Sequence, residues 1–120
     1  MSVNAEQWAF LQDVAKLIQW AKEHGYMLTG GELKRTLTQQ AIYVKKGFSD
    51  TMESLHLMAL AQDLNVFMKR GSRWRLTYDY EDVKPLGDYW KSLNPKNHWG
   101  GDFKLRSGGT DTPHFERRLK

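Results

Sequence analysis

Cysteine is absent from the chain. That rules out a disulfide framework, a thiolate nucleophile, a zinc ribbon and an iron–sulfur site, so any metal must take its ligands from histidines and carboxylates. Long apolar runs are absent too. No stretch approaches the roughly 18 residues of a membrane span, and no membrane insertion is expected. Met1 to Gln7 lacks a basic region followed by an apolar run, which predicts synthesis in the cytoplasm without a signal peptide. Nor is charge strongly one-sided. Eighteen Lys and Arg against 14 Asp and Glu give a formal +4. This favours approach to an anionic polymer, but many ordinary domains carry as much. No internal repeat or low-complexity block is visible.

What is present is core-forming material. Apolar residues make up 40% of the 120, with five Trp among them, which suffices for one domain over 1–120 without covalent staples, and a monomer is expected. Asn4 with Gln7 three residues on reads as a helix start, followed by Trp8, Leu11, Val14, Ala15, Ile18 and Ala21 at helical spacing and closed by Gly25. His24, in the last turn, reads as a surface residue favoured by the helix dipole. An extended piece from Tyr26 to Thr29 runs into Gly30-Gly31, and a second helix is expected over 36–46, with Ala41 and Val44 inward. Ala61 to Met68 and Arg73 to Tyr78 read as strands joined by a turn at Lys69 to Ser72. Glu81 to Leu93 is helical in pattern, Asn94 to Thr112 a long loop, Thr112 to Glu116 a closing strand, and 117–120 a solvated basic tail.

The chemistry-bearing residues can be enumerated. His56 and Asp63 stand seven apart across a segment that changes from turn to strand, and His114 follows Asp111 by three. Positions three apart on a straight strand face opposite sides, so Asp111 and His114 converge only if the backbone bends, and Pro113 can supply the bend. Taken singly, each has a plain reading: His56 as a polar residue at a helix start, Asp63 as an edge acid, His114 as a surface residue near the end. On chemistry alone His98 and Asp102 are rival ligands.

Taken together, these residues resemble a known family. Ser54-Leu55-His56 followed by Ala61-Gln62-Asp63 is similar to the S-x-H-x-x-G-x-A-x-D motif of the D-alanyl-D-alanine carboxypeptidase and L-alanyl-D-glutamate endopeptidase family of zinc peptidases. Asp111-Thr112-Pro113-His114-Phe115 has the form of its closing acid-x-x-His-aromatic motif. Trp99-Gly100-Gly101-Asp102 and the pair Arg35 and Gln40 match two further elements, so the resemblance runs from about residue 30 to 116. Two departures stand out. Met58 takes the place of the motif glycine, and the family's base is often Glu where this chain has Asp111.

The resemblance implies an α+β fold of the hedgehog and lysostaphin type, in which a small antiparallel sheet bears the zinc and helices pack on one side. It implies Zn2+ held by His56, Asp63 and His114, with Asp111 as general base and Arg35 holding a substrate carboxylate or the developing oxyanion. Gln40 and Ser54 would line the pocket. Plain alternatives are a surface pair of Arg35 with Glu32 and a helix cap for Ser54. Trp99 is expected to pack beneath the site, with His98 and Asp102 in the loop framing it. The implied partner is the stem peptide of bacterial peptidoglycan, with no nucleic acid. The short, leaderless chain resembles phage endolysins, which reach the wall once the host membrane is breached. Two rival readings are kept: a nucleic-acid-binding module built on Lys69, Arg70, Arg73, Trp74 and Arg75, and an inactive phage structural protein that keeps the fold.

Overall fold

The computed structural model describes residues 2–31, 39, 42, 44, 45 and 58–119. Helix α1 spans Val3–Glu23. It starts ahead of the expected Asn4 cap, because the Ser2 hydroxyl accepts the Ala5 amide at 3.2 Å and satisfies one of the first-turn donors. Its buried face also differs from the expected stripe. Glu6, Phe10, Asp13, Val14, Leu17 and Ala21 point inward, while Trp8, Leu11 and Ile18 are exposed. The cause lies far away in sequence. Arg117 donates through Nε to Glu6 at 2.6 Å and brings Nη1 to 3.8 Å from Asp13, which also accepts from Asn97 at 3.0 Å, so two acids that read as polar are matched inside. His24 caps the helix and stays exposed, its ring stacked on Trp20 at 3.8 Å.

Strand β1 (Tyr26–Gly30) leads to the stretch expected to be helical. Its described residues Gln39, Ile42, Val44 and Lys45 are helical, and the rest of 36–46, Ala41 included, lies outside the described residues. Strand β2 (Ala61–Arg70) and strand β3 (Arg73–Thr77) form the expected hairpin. Helix α2 (Tyr80–Leu93) starts at Asp79, whose carboxylate accepts from Glu81 and Asp82. The expected loop after it is partly ordered: strand β4 (Asn97–Trp99) runs into a single 3-10 turn, Gly100–Asp102. Strand β5 (His114–Arg117) closes the chain. The expected tail therefore begins one residue later than 117, because Arg117 is the last residue of β5 and is buried. Among the described residues no helix is long and apolar enough to cross a membrane.

The strands form one antiparallel sheet in the order β1-β2-β5-β4, with β3 also paired to β2. Strand β2 changes neighbour along its length: Ala61 to Asp63 pair with β5, and Val66 to Arg70 pair with β3. Both helices cover one face, as expected for this α+β arrangement. Phe10, Leu17, Val66, Leu86, Trp90 and Phe115 meet there fully buried or nearly so, and each such side chain contributes about 1.5 to 3 kcal/mol by leaving water. Trp90 makes edge contacts with both Phe10 and Phe115. Because Phe115 faces the helices, alternation along β5 turns His114 and Glu116 to the other face.

One backbone detail corrects the sequence reading. Ala59 has φ +55°, the left-handed region that glycine enters freely and alanine does not. Counted from His56, the motif glycine falls on Ala59 rather than on Met58. Met58 is half-buried against the core, and its carbonyl accepts from the Gln7 side chain at 2.8 Å.

Candidate active site

The register of β2 and β5 places Asp63 directly opposite His114. Facing pairs of this kind bring side chains into contact. Here Asp63 Oδ1 lies 3.4 Å from His114 Nδ1. Asp111 Oδ2 approaches the same nitrogen to 3.9 Å. A turn makes this possible, since the His114 amide donates to the Asp111 carbonyl at 3.1 Å. The strand accordingly begins at His114 rather than Thr112, and the bend expected at Pro113 falls within that turn.

Four bonds fix the turn to the rest of the fold. The Trp99 indole N–H donates to the Thr112 carbonyl at 2.8 Å, and the Thr112 hydroxyl donates to the Tyr78 carbonyl at 2.9 Å. The Leu64 amide donates to the Pro113 carbonyl at 2.8 Å, and the Asp111 amide to the Gly100 carbonyl at 2.9 Å. Gly100 has no room for a side chain: a Cβ there would fall 2.1 Å from the Asp111 carbonyl oxygen and 2.8 Å from His114 Cβ. The Trp-Gly-Gly segment is thus the seat of the turn. Trp99 is fully buried, as expected, and does not face solvent.

The far side of the imidazole is also engaged. Glu116 Oε1 lies 2.7 Å from His114 Nε2, and its other oxygen accepts from Arg118 at 2.7 Å. Such a carboxylate fixes the ring's orientation and leaves Nδ1 toward Asp63 and Asp111. Neither Glu116 nor Arg118 was singled out in the sequence, although residues two apart on a strand share a face and the His-x-Glu spacing carries that signal. Burial alone would lower the His114 pKa, but the carboxylates of Asp63, Glu116 and Asp111 outweigh it and push the group up to about 9. Burial raises Glu116, and the partners His114 and Arg118 overcome this and hold it below the usual carboxylate range.

His98 and Asp102 stay outside this cluster. His98 stands across from Glu116 on β4, where burial first, then Arg118, lowers its pKa. Asp102 is held by Lys91 at 2.7 Å. Of the residues read from the sequence, the structure brings Asp63, Asp111 and His114 together. His56, Arg35, Gln40 and Ser54 lie outside the described residues. Among the described residues no group of three metal-ligating side chains closes on one point. Even so, a carboxylate and an imidazole nitrogen facing each other across two strands are the donor types zinc takes.

Residues 48–117 match the family model described as D-alanyl-D-alanine carboxypeptidase. The L-alanyl-D-glutamate peptidase of Listeria phage A118 is 34% identical over 105 residues, which cover 88% of this chain and 35% of that protein. The chain thus spans about a third of the length of that relative. The crystal structure of an L-Ala D-Glu endopeptidase from Serratia marcescens superposes with a TM-score of 0.65 over 90% of this chain and 80% of that one, at 20% identity. At that identity the likeness speaks to the fold.

Proposed function

The chain belongs to the D-alanyl-D-alanine carboxypeptidase family, and on that premise we propose that it is a zinc-dependent peptidase of bacterial peptidoglycan, cutting the L-alanyl-D-glutamate bond of the stem peptide. The observation that carries this is the meeting of Asp63, His114 and Asp111 at one imidazole nitrogen. The names of the phage and Serratia relatives support the choice of bond. The phage relative also supports an endolysin-like setting, with the chain acting on the wall after the host membrane is breached.

Asp63 and His114, with His56, would hold the zinc. When bound, the ion supplies a Lewis acid that polarises the scissile carbonyl and lowers the pKa of water. Asp111 then accepts the proton of the attacking water and returns it to the leaving amine, so no covalent intermediate is required. Glu116 keeps the His114 ring turned the right way. Arg35 would hold a substrate carboxylate or the developing negative charge, a task suited to a planar guanidinium, with Gln40 and Ser54 lining the pocket.

Two measurements on the full chain test the reading together. Elemental analysis should find about one zinc per chain, lost in His56→Ala and His114→Ala. Mass spectrometry of digested peptidoglycan should show new L-alanine C-termini and D-glutamate N-termini. Intact metal content in both variants, or cleavage at a different bond, would overturn the ligand set or the substrate assignment respectively.

A further inference from the structure

Strand β3 is an edge of the sheet, and it exposes apolar residues where an edge is usually blunted by charge. Trp74, Leu76 and Tyr78, at alternate positions, are 42%, 46% and 56% exposed. Large side chains so arranged on a monomer's surface mark a contact surface. The register shows which way the first two face. Trp74 pairs with Lys69 and Leu76 with Phe67, and both partners lie an even number of residues from Asp63 along β2. By strand alternation this is the face that carries Asp63 and, across from it, His114.

The row also ends at the site. The Tyr78 carbonyl accepts the hydroxyl of Thr112, inside the turn that carries Asp111 and His114. From Trp74 on β3 to Tyr78, one residue past the strand's end, the extended chain covers roughly 13 Å. An apolar track of that length therefore leads along the sheet edge to the acid and the histidine.

We infer that this row is a binding surface for the glycan strand of peptidoglycan, and that it holds the polymer alongside the peptide being cut. The inference rests on the proposed function and extends it from the stem peptide to the sugar backbone. Aromatic faces are electron-rich and suit the C–H faces of pyranose rings, while the indole N–H and phenol O–H remain free to meet hydroxyl and acetamido groups. A mostly uncharged glycan asks for such a row rather than for ion pairs. Of the nearby cations, Arg70 is engaged by Asp82 at 3.1 Å and Lys69 sits over the Trp74 ring at 5.7 Å, while Arg73 and Arg75 alternate to the other face of β3.

The test is a sedimentation assay of the full chain with purified insoluble peptidoglycan, run in an Asp111→Asn background to keep the polymer intact. Trp74→Ala with Leu76→Ser, both at exposed positions, should weaken binding about tenfold, the size of one lost aromatic anchor. Soluble N-acetylglucosamine oligomers should compete with the parent and fail to compete with the variant's residual binding. Unchanged affinity in the variant would overturn the inference. So would competition by single-stranded DNA in place of the sugar, or a dimer in the ultracentrifuge that the double substitution dissolves, since either gives the row another occupant. A separate arm, hydrolysis of a sugar-free stem peptide by the unsubstituted chain, addresses the proposed function alone: no cleavage there with glycan binding intact defeats the peptidase reading and leaves this one standing.

Discussion

Strand β5 carries buried charge on both faces, and the two faces handle it differently. Toward the helices, Arg117 and Lys96 meet Glu6 and Asp13 in a cluster that reaches from the last strand to the first helix. There cations and acids are matched. Toward the other face, three carboxylates, Asp63, Asp111 and Glu116, gather around the His114 imidazole. There the raised pKa of His114 and the Arg118 bond to Glu116 supply the positive charge that the acids face. The first cluster ties the last strand to the first helix, and the second gathers the acids and the histidine of the proposed zinc site.

The sharpest way to separate the faces is Asp111→Asn. The amide is nearly isosteric but cannot take a proton from water at neutral pH, so activity should fall ~10²- to 10⁴-fold, about 3 to 5 kcal/mol of transition-state stabilisation. Zinc content and melting temperature should stay put. Asp63→Asn should instead lose the metal. If Asp111→Asn releases zinc and Asp63→Asn does not, the roles of base and ligand are exchanged.

Arg117→Met probes the opposite face. It strands Glu6 and Asp13 without a guanidinium, and the melting temperature should drop by more than about 10 °C, while zinc binding by the protein that remains folded persists. A melt within a couple of degrees of the parent would show the helix-side cluster to be dispensable.

Acid should weaken the same cluster before it touches the apolar core. The Arg117 bond foremost, then Lys96, holds Glu6 below its ordinary value against the opposing effect of burial. A folded-state pKa below the unfolded one means the stabilisation is fully present above the unfolded value, near 4.5, and is lost as pH falls through the folded one. Thermal melts from pH 6 downward should therefore steepen below about pH 4.5, and Arg117→Met should flatten that limb. Equal slopes in the two proteins would remove Glu6 as the group responsible.

The smallest effect belongs to neither face. Ala59→Gly should relieve the left-handed backbone at the approach to β2, offset in part by glycine's greater freedom when unfolded, for a net gain of about 0.5 to 1 kcal/mol. Its measure is a rise of a few degrees in the melt. A loss of stability would mean that the alanine methyl packs usefully there.

Much of this was legible in the sequence where the signal is local. The β2–β3 hairpin, the helix over 81–93 and the Asp111-x-x-His114 turn follow from alternation, three-to-four spacing and a proline. The buried face of α1 was not legible, because it includes Glu6 and Asp13, whose partner Arg117 is more than 100 residues on and looked like part of a solvated tail. Glu116 was passed over although its spacing from His114 was in plain view. The motif glycine falls on Ala59 by count from His56 alone, and the left-handed backbone there agrees with that count.

The bond between the Asp111 amide and the Gly100 carbonyl, at 2.9 Å, joins the two ends of an excursion that turns back on itself through Leu105 and Gly109. Below it, Trp99 is clasped by Gly87 and Gly101, where a methyl group on either would fall 2.2 Å from the indole. The neck of the loop is therefore fixed by groups that do not belong to it, and closing a longer loop over the same neck costs only about 0.6 kcal/mol per doubling of length. The acid and the histidine beside the neck are thus placed by contacts at the base of the excursion, not by the path that residues 104–110 take between its ends.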